Sequence, residues 1–569
     1  MIRHRHTALL ALGCMIAPAP ALHAQAPAGP RYLPAGSPPG AAPTAPVRIA
    51  SGLVRGSVAA SGAREFRGIP FAAPPVGERR WREPQPVAAW KGVRAAATFG
   101  PRCMQLPVFG DMVFRSDGMG EDCLYLNVWA PARSAGRRLP VLLYFYGGGF
   151  VAGDGSELRY DGESLARRGV VVVTANYRLG VFGFLALADL TRESPHHASG
   201  DYGLLDQVAA LEWVRRNIAA FGGNPSRITI AGESAGSISV CALMASPLSR
   251  RHIAGAIGES GGMFQPTLPP VPLAEAERRG REFADSVGAA SLAALRALRA
   301  ESLLVAAGRP GSRRFPATLD GWFLTATPAE VFAAGEQARV PLLVGWNSQE
   351  ADWRRLLTAG EPAPERYQAE LRTRFGEHAD EVLRFFPGAT PEQVVESGTA
   401  LAGATFIAYS TWKWAELQEA TGKAHVYRYF YVHPRPATRA PAQTPPPPGA
   451  VDPESALRAA RIMPPSNDAA PSGAVHSAEI EYALGNLATN DVYAWSAADS
   501  AVSTAMEGYF ANFVKRGSPD GPGLPRWPAA TPGDSTRVMI LDVRPHAEPA
   551  GGEAAYRLLD RFYTTPPRH

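Results

Sequence analysis

The sequence predicts an α/β fold with a large, mostly parallel central sheet and helices on both of its faces. Short apolar, β-rich runs, each followed by glycine or a polar turn, occur at residues 141–146, 170–175, 227–231 and 341–345. Helical spacing of apolar residues occurs at residues 209–220 and 274–287. Strands that alternate with helices favour parallel pairing, and no internal repeat of fixed period competes with this pattern.

The composition indicates a folded chain without a nucleic-acid partner. Of 569 residues, 46% are hydrophobic and 19% are charged, which excludes global disorder. Length alone predicts about two to four domains. The 57 basic residues exceed the 52 acidic residues, but they are scattered along the chain. Because nucleic-acid binding needs a concentrated basic patch, we expect none here.

The N-terminus has the pattern of a secretory signal peptide over residues 1–24. Arg3 and Arg5 precede a short apolar stretch at residues 7–17, and small residues follow. That stretch is too short to span a bilayer, and no other segment is long and apolar enough. We therefore expect an exported chain, periplasmic or secreted, without stable membrane insertion. A second interpretation stays open, in which Cys14 is the processing site of a lipoprotein.

A candidate nucleophile lies in residues 232–236, which read Gly-Glu-Ser-Ala-Gly. They follow the strand-like run 228–231 and precede a helical stretch of small residues. In this context the G-x-S-x-G motif holds its serine in a strained, exposed turn, and larger flanking side chains would collide with the neighbouring elements. The helix N-terminus also favours developing negative charge. Ser234 is therefore the candidate nucleophile, and a glycine-rich turn with an incidental serine is the alternative.

Three consecutive glycines at residues 147–149 follow another strand-like run and can supply backbone N–H donors. Acyl transfer places negative charge on a carbonyl oxygen, and glycines let the backbone approach that oxygen closely. A phosphate-binding loop would continue with Gly-Lys-Ser/Thr, whereas this sequence continues with Phe-Val-Ala. The run therefore predicts an oxyanion hole.

The base should follow the nucleophile and the acid in chain order. Histidines after residue 350 are His378, His425, His433, His476, His546 and His569. His476 stands out because it lies directly after a loop and before an apolar run. Pattern alone also leaves His425 and His433 open.

The candidate acid is Glu350, which lies just beyond the end of the strand-like run 341–345. Catalytic groups of open α/β sheets lie beyond the carboxyl ends of strands. Asp352 and Asp320 compete with Glu350 for this role.

Together these stretches resemble the type-B carboxylesterase/lipase family, the α/β-hydrolase group that includes the cholinesterases. Further motifs follow the family's order at residues 66–72, 74–77, 121–128, 176–180, 201–207, 513–519 and 527–528. Several motifs in order are more specific than any single one. The resemblance implies an α/β-hydrolase fold formed by residues 47–565 as one domain, preceded by a Pro/Ala-rich linker at residues 25–46.

The resemblance also implies a role for each candidate residue. The implied catalytic residues are Ser234 as nucleophile, Glu350 as acid and His476 as base. The implied oxyanion donors are the N–H groups of Gly148, Gly149 and Ala235, and Ser260 resembles a supporting serine near the histidine. The implied structural pairs are the disulfide Cys103–Cys123 and the buried ion pairs Arg178–Asp206 and Arg80–Glu121. Cys241 is expected to be a buried free thiol.

The implied activity is hydrolysis of a small-molecule carboxylic ester through an acyl-enzyme, without a metal or an organic cofactor. Three alternatives stay open: an esterase for a bulky natural product, a carbamate or amide hydrolase, and an inactive binding module. The last predicts loss of the nucleophile or the base, and both are present. The Pro-rich insertion at residues 434–473 is either a surface excursion or an edge of the active-site gorge. The sequence assigns no oligomeric state.

Overall fold

The computed structural model describes residues 31–32, 41–309, 314–357, 360–437, 439, 473–490, 493–531 and 536–564. The expected signal peptide, most of the expected linker and most of the Pro-rich insertion lie outside the described residues. The account below therefore concerns these described residues.

A twelve-stranded sheet lies at the centre of the described part of the chain. Its strands are β1 (Ala42–Pro43), β2 (Ser57–Val58), β3 (Arg64–Pro70), β4 (Tyr125–Ala130), β5 (Leu139–Phe145), β6 (Val171–Ala175), β7 (Gly223–Glu233), β8 (Gly255–Glu259), β9 (Leu342–Asn347), β10 (Val426–Tyr431), β11 (Arg537–Leu541) and β12 (His546–Pro549). Their order in space is β1-β2-β3-β4-β6-β5-β7-β8-β9-β10-β11-β12.

The seven strands from β6 to β11 in this order pair in parallel. The strands on either side pair antiparallel. Every residue of β6, β8 and β9 is buried, so protein covers both faces of the sheet there, as parallel strands require. The predicted α/β fold with a mostly parallel sheet is confirmed.

Sixteen α-helices occur among the described residues. They are α1 (Glu163–Arg167), α2 (Gly180–Phe184), α3 (Ala188–Glu193), α4 (Tyr202–Asn217), α5 (Ala235–Ala245), α6 (Leu273–Ser286), α7 (Leu292–Ala297), α8 (Ala300–Ala307), α9 (Pro328–Ala333), α10 (Pro364–Phe375), α11 (Ala379–Phe385), α12 (Pro391–Gly403), α13 (Tyr409–Thr421), α14 (Ile480–Ala483), α15 (Ala497–Arg516) and α16 (Glu553–Thr564). A π-helical turn, Ala404–Ala408, joins α12 to α13. Short 3₁₀ helices occur at Gly77–Arg79, Leu158–Tyr160, Ile218–Phe221, Arg250–His252, Trp353–Arg355 and Gly376–His378.

Short strands outside the central sheet form small ribbons. They are Arg31–Tyr32, Val47–Ile49, Gly52–Arg55, Val93–Ala95, Arg102–Cys103, Val113–Phe114, Met119–Gly120, Val271–Pro272 and Thr318–Leu319. No helix in the described part of the chain combines the length and the apolar character needed to cross a membrane.

The structural pairs implied by the resemblance are present. Cys103 and Cys123 form a disulfide with an S–S distance of 2.06 Å, and Cys241 is a buried free thiol. Arg178 makes two 2.8 Å bonds to the carboxylate of Asp206, and both side chains are buried. A second bidentate pair, Arg80–Glu121, has N···O distances of 2.6 and 2.5 Å. These bonds join segments that lie far apart in the chain, and the Arg178–Asp206 pair joins the loop after β6 to α4.

Candidate active site

Ser234 lies in the sharp turn between β7 and α5. Its φ is +54° and its ψ is −120°, a conformation that L-residues rarely adopt. The flanking glycines permit this turn, because a Cβ on Gly232 would lie 2.6 Å from the carbonyl oxygen of Phe145. A Cβ on Gly236 would overlap the same oxygen. The collision predicted from the motif is therefore confirmed.

Ser234, His476 and Glu350 form one chain of contacts. The imidazole Nε2 of His476 lies 2.9 Å from Oγ of Ser234, and its Nδ1 lies 2.6 Å from Oε2 of Glu350. Glu350 follows β9, as predicted. Because β7 and β9 are parallel, Ser234 after β7 and Glu350 after β9 lie at the same edge of the sheet. Backbone pairing between Gln349 and Ala474 brings the His476 segment to this edge.

The expected backbone donors lie at the end of β5 and at the start of α5. Gly148 and Gly149 follow β5 with φ values of +106° and +63°, which favour glycine. Ala235 is the first residue of α5. Among the described residues, none accepts a hydrogen bond from the N–H groups of Gly148, Gly149 or Ala235. These three donors are therefore available to a substrate oxygen.

Ser260 supports the carboxylate and not the imidazole. Its Oγ donates a 2.5 Å hydrogen bond to Oε1 of Glu350. The backbone N–H of Asn347 donates a 2.7 Å bond to the same oxygen. Ser260 therefore contacts Glu350, and Glu350 in turn contacts His476, which agrees with the expectation of a supporting serine near the histidine.

Three further buried glutamates surround these residues. Glu233 Oε1 lies 3.3 Å from Nε2 of His476 and accepts a 2.6 Å bond from Oγ of Ser477. Glu479 accepts a 2.6 Å bond from the side-chain amide of Asn347. Glu259 accepts a 3.2 Å bond from the hydroxyl of Tyr144. The half-buried imidazole therefore lies in a strongly acidic environment.

This environment shifts several pKa values. Burial lowers the pKa of His476, but the charges of Glu233 and Glu350 outweigh burial and raise it to about 9. Burial raises the pKa of Glu479 to about 8, and Glu233 and Glu350 act in the same direction. The pKa of Glu259 is raised well above its ordinary value by burial and then by the charges of Glu479 and Glu233.

The competing candidates have other partners. His433 lies between two carboxylates, with Nε2 3.0 Å from Asp499 and Nδ1 3.2 Å from Asp542. The ring of His425 packs beside Tyr427 at 6.2 Å. Asp320 accepts backbone N–H bonds from Trp322 and Leu324, and Asp352 binds Arg354. The structure brings only His476 and Glu350, of the open candidates, to Ser234 within its described residues.

Sequence reasoning missed Glu233, Glu479, Arg435 and Phe406. The two glutamates carried a signal, because they are acidic residues one position before Ser234 and three after His476. Arg435 donates hydrogen bonds to the carbonyl of Ser477 and, at 2.9 Å, to Glu481. It lies in a Pro-rich zone without a motif. The Phe406 ring lies 5.1 Å from the His476 ring, edge to face.

One carboxylate group has the spacing of a cation site. Oxygens of Glu65, Asp161 and Glu163 lie within 4.8 Å of one another. Arg67 binds Glu65 at 2.6 Å, and Arg115 binds Asp161 at 2.7 Å. Two of the three carboxylates are therefore already paired with a guanidinium group, and we interpret the cluster as an ion-pair network of the fold.

Comparison with known proteins gives a consistent result. The sequence profile of the Carboxylesterase family matches residues 43–554. The chain is 35% identical over 486 residues to the fumonisin B1 esterase of Sphingopyxis macrogoltabida, covering 81% of each chain. It is 34% identical over 509 residues to the human cocaine esterase (Homo sapiens), covering 84% of each chain. A solved structure of PNB esterase superposes with a TM-score of 0.71 at 28% identity, covering 92% of this chain and 99% of that one.

Proposed function

Since the chain belongs to the carboxylesterase family and is a carboxylic ester hydrolase, we propose that Ser234, His476 and Glu350 perform this hydrolysis through an acyl-enzyme. One observation carries the proposal: an unbroken contact chain from serine to imidazole to carboxylate at one edge of the sheet. Geometry of this kind is how a serine with an ordinary, high pKa becomes a nucleophile.

In the first step, Nε2 of His476 takes the hydroxyl proton of Ser234 while Oγ attacks the ester carbonyl. The developing oxyanion accepts hydrogen bonds from the N–H groups of Gly148, Gly149 and Ala235, for which the structure offers no other described acceptor. The protonated imidazole then gives its proton to the leaving alcohol. Ser234 is left as an acyl ester.

In the second step, water loses a proton to His476 and attacks the acyl carbon. The second tetrahedral intermediate collapses, Ser234 recovers its proton, and the carboxylic acid leaves. Glu350 orients the imidazole through Nδ1 and stabilises its charged form. Ser260 and the Asn347 N–H hold the carboxylate in place for both steps.

Replacement of the nucleophile tests this proposal. Ser234→Ala should lower kcat on p-nitrophenyl acetate and butyrate by about a millionfold, because no other hydroxyl contacts His476 among the described residues. A fluorophosphonate should label the wild type at Ser234, as shown by peptide mass spectrometry. Ser226→Ala, at an exposed serine of β7, is the control and should keep full activity. Retained turnover in Ser234→Ala would refute the assignment.

We also propose that residues 47–565 act as one domain and that the chain is exported. A single sheet takes its strands from nearly the whole described chain, from Ala42–Pro43 to His546–Pro549, which supports a single domain. The N-terminal signal-like pattern and the Cys103–Cys123 disulfide support export, because disulfides persist in oxidising compartments.

A further inference from the structure

The π-helical turn Ala404–Ala408 lies against the proposed catalytic residues. A Cβ on Gly403, the last residue of α12, would lie 3.5 Å from Cβ of Glu350. Phe406, within the turn, packs edge to face on His476 at 5.1 Å. Single π turns inside helices are frequent at functional sites. The Phe406 ring is therefore part of the wall beside the imidazole.

A cation lies on the same aromatic ring. The 3₁₀ helix Trp353–Arg355 follows Glu350 in the chain, and the Arg355 guanidinium carbon lies 4.2 Å from the centroid of Phe406. Stacking on a ring face holds a guanidinium in place. One aromatic ring therefore separates the Arg355 charge from the His476 imidazole.

The charge of Arg355 is not neutralised within the described part of the chain. Arg355 has no ion pair there, whereas its neighbour Arg354 binds Asp352 at 2.8 Å. Burial lowers the pKa of Arg355, and the like charges of Arg314 and Arg374 lower it further. Its surface is nevertheless exposed to solvent. The Arg355 guanidinium is therefore an accessible positive charge, stacked on the same ring that packs against His476.

We propose that Arg355 forms an anion subsite, and that the preferred substrates are esters with a free carboxylate remote from the scissile bond. This inference rests on the proposed ester hydrolysis at Ser234. When the face of the Arg355 guanidinium stacks on Phe406, the N–H groups at the edge of the guanidinium can still donate hydrogen bonds to both oxygens of a carboxylate. A carboxylate bound there places the ester carbonyl, several bonds away, at the serine.

Matched ester pairs test the subsite. Mono-4-nitrophenyl adipate and 4-nitrophenyl hexanoate differ only in a terminal carboxylate or methyl group on the acyl side. Likewise, 3-(4-acetoxyphenyl)propanoate and 4-propylphenyl acetate differ only on the alcohol side. The measured quantity is the ratio of kcat/KM for the anionic ester to that for the neutral ester. The variants are Arg355→Gln, Arg355→Lys and, as control, Arg354→Gln.

We expect Arg355→Gln to lower this ratio about tenfold for at least one pair, because a charge-assisted hydrogen bond is lost. Arg355→Lys should retain part of the preference, since it keeps the charge without the planar edge. Arg354→Gln should leave both ratios within twofold of wild type. An unchanged ratio for both pairs in Arg355→Gln, or an equal ratio in the Gln and Lys variants, would overturn the subsite. Failure of the proposed function is distinguishable, because the wild type would then not hydrolyse the neutral esters through Ser234.

Discussion

At the scale of single residues, His476 is governed by two carboxylates and not by one. Glu350 contacts Nδ1 at 2.6 Å, and Glu233 lies 3.3 Å from Nε2, the nitrogen that faces Ser234. Both negative charges stabilise the imidazolium that forms during the proposed reaction. They also hold the proton on the resting histidine, since its pKa is raised to about 9 despite burial. The same two carboxylates therefore stabilise the charged imidazolium and raise the pKa of His476.

Glu233→Gln should move the pH dependence of the enzyme toward lower pH. The base acts as neutral imidazole, and the pKa of His476 is raised to about 9. The kcat/KM of the wild type should therefore rise with pH and level off above about pH 9, and this rising part of the pH profile is called the limb below. Removing the Glu233 charge lowers the pKa of His476, and the limb should therefore shift to lower pH. The measurement is kcat/KM on p-nitrophenyl butyrate across the pH range.

Glu259→Gln is the matched control for this shift. Glu259 is also a buried glutamate, but its bond is to Tyr144 and not to His476. Its replacement should leave the limb where it is in the wild type. A limb that stays in place in Glu233→Gln, or that moves equally in both variants, would contradict the role given to Glu233.

The sequence located the residues of the candidate site but not all of their contacts. Ser234 was marked by its motif, and Glu350 by its position after a strand. The position of His476 between a loop and an apolar run favoured it, but pattern alone left His433 open, and the family resemblance separated the two. The contact between Glu233 and His476 joins positions far apart in the chain, and no local pattern predicts such a contact. The same reason hid the packing of Phe406 on the imidazole.

At the scale of elements, the segment around His476 is held by Arg435. This buried arginine donates hydrogen bonds to the Ser477 carbonyl, to Glu481 at 2.9 Å and to the Tyr493 hydroxyl at 3.0 Å. Arg435 precedes the undescribed part of the insertion, and its partners follow it. The ends of the insertion therefore meet beside the proposed base.

Arg435→Met should damage both stability and catalysis. It leaves the carboxylate of Glu481 buried without its cation, which typically costs about 3–5 kcal/mol of unfolding free energy. It also releases the residue next to His476, so kcat should fall about tenfold or more. Thermal melting and kcat on p-nitrophenyl butyrate measure the two effects.

Arg439→Met is the control for this prediction. Arg439 donates a 3.2 Å bond to the Tyr493 carbonyl, and its contact lies away from the His476–Ser477 peptide. It should change kcat by less than twofold. If Arg435→Met lowers the melting temperature but keeps the wild-type kcat, Arg435 stabilises the fold without positioning the base.

Of the six elements that the sequence predicted, most lie within a few residues of the observed ones, and the largest error has a physical cause. Apolar periodicity predicted a helix from residue 209, whereas α4 begins at Tyr202. Its first turns are buried on all sides and include the polar residues Asp206 and Gln207. A helix buried all round lacks the alternation of apolar and polar faces on which the prediction depends. In contrast, α6 has one buried face and was predicted within one residue.

At the scale of the whole molecule, the topology of the sheet supports fewer domains than the length of the chain predicts. About two to four domains were expected from 569 residues. One twelve-stranded sheet instead extends through the described chain, and no boundary divides its strands into separate sheets. This continuity supports the proposed single domain over residues 47–565.

If the chain is exported as proposed, the mature protein should lack residues 1–24. Exported protein should begin near residue 25 by mass spectrometry, and after denaturation without reductant it should show one free thiol, Cys241. A chain lacking residues 1–24 should stay in the cytosol and show three free thiols. A mature chain that begins at a lipid-modified Cys14 would instead establish the lipoprotein alternative.

The distance in sequence between Ser234 and His476, 242 residues, has a consequence for synthesis. A ribosome finishes the proposed nucleophile long before it makes the proposed base, and N-terminal segments begin to fold first. Until the last strands join the sheet, the serine has no imidazole beside it and remains an ordinary alcohol. On the proposed assignment, the growing polypeptide should not attack esters, and reactivity should begin only when the fold is complete.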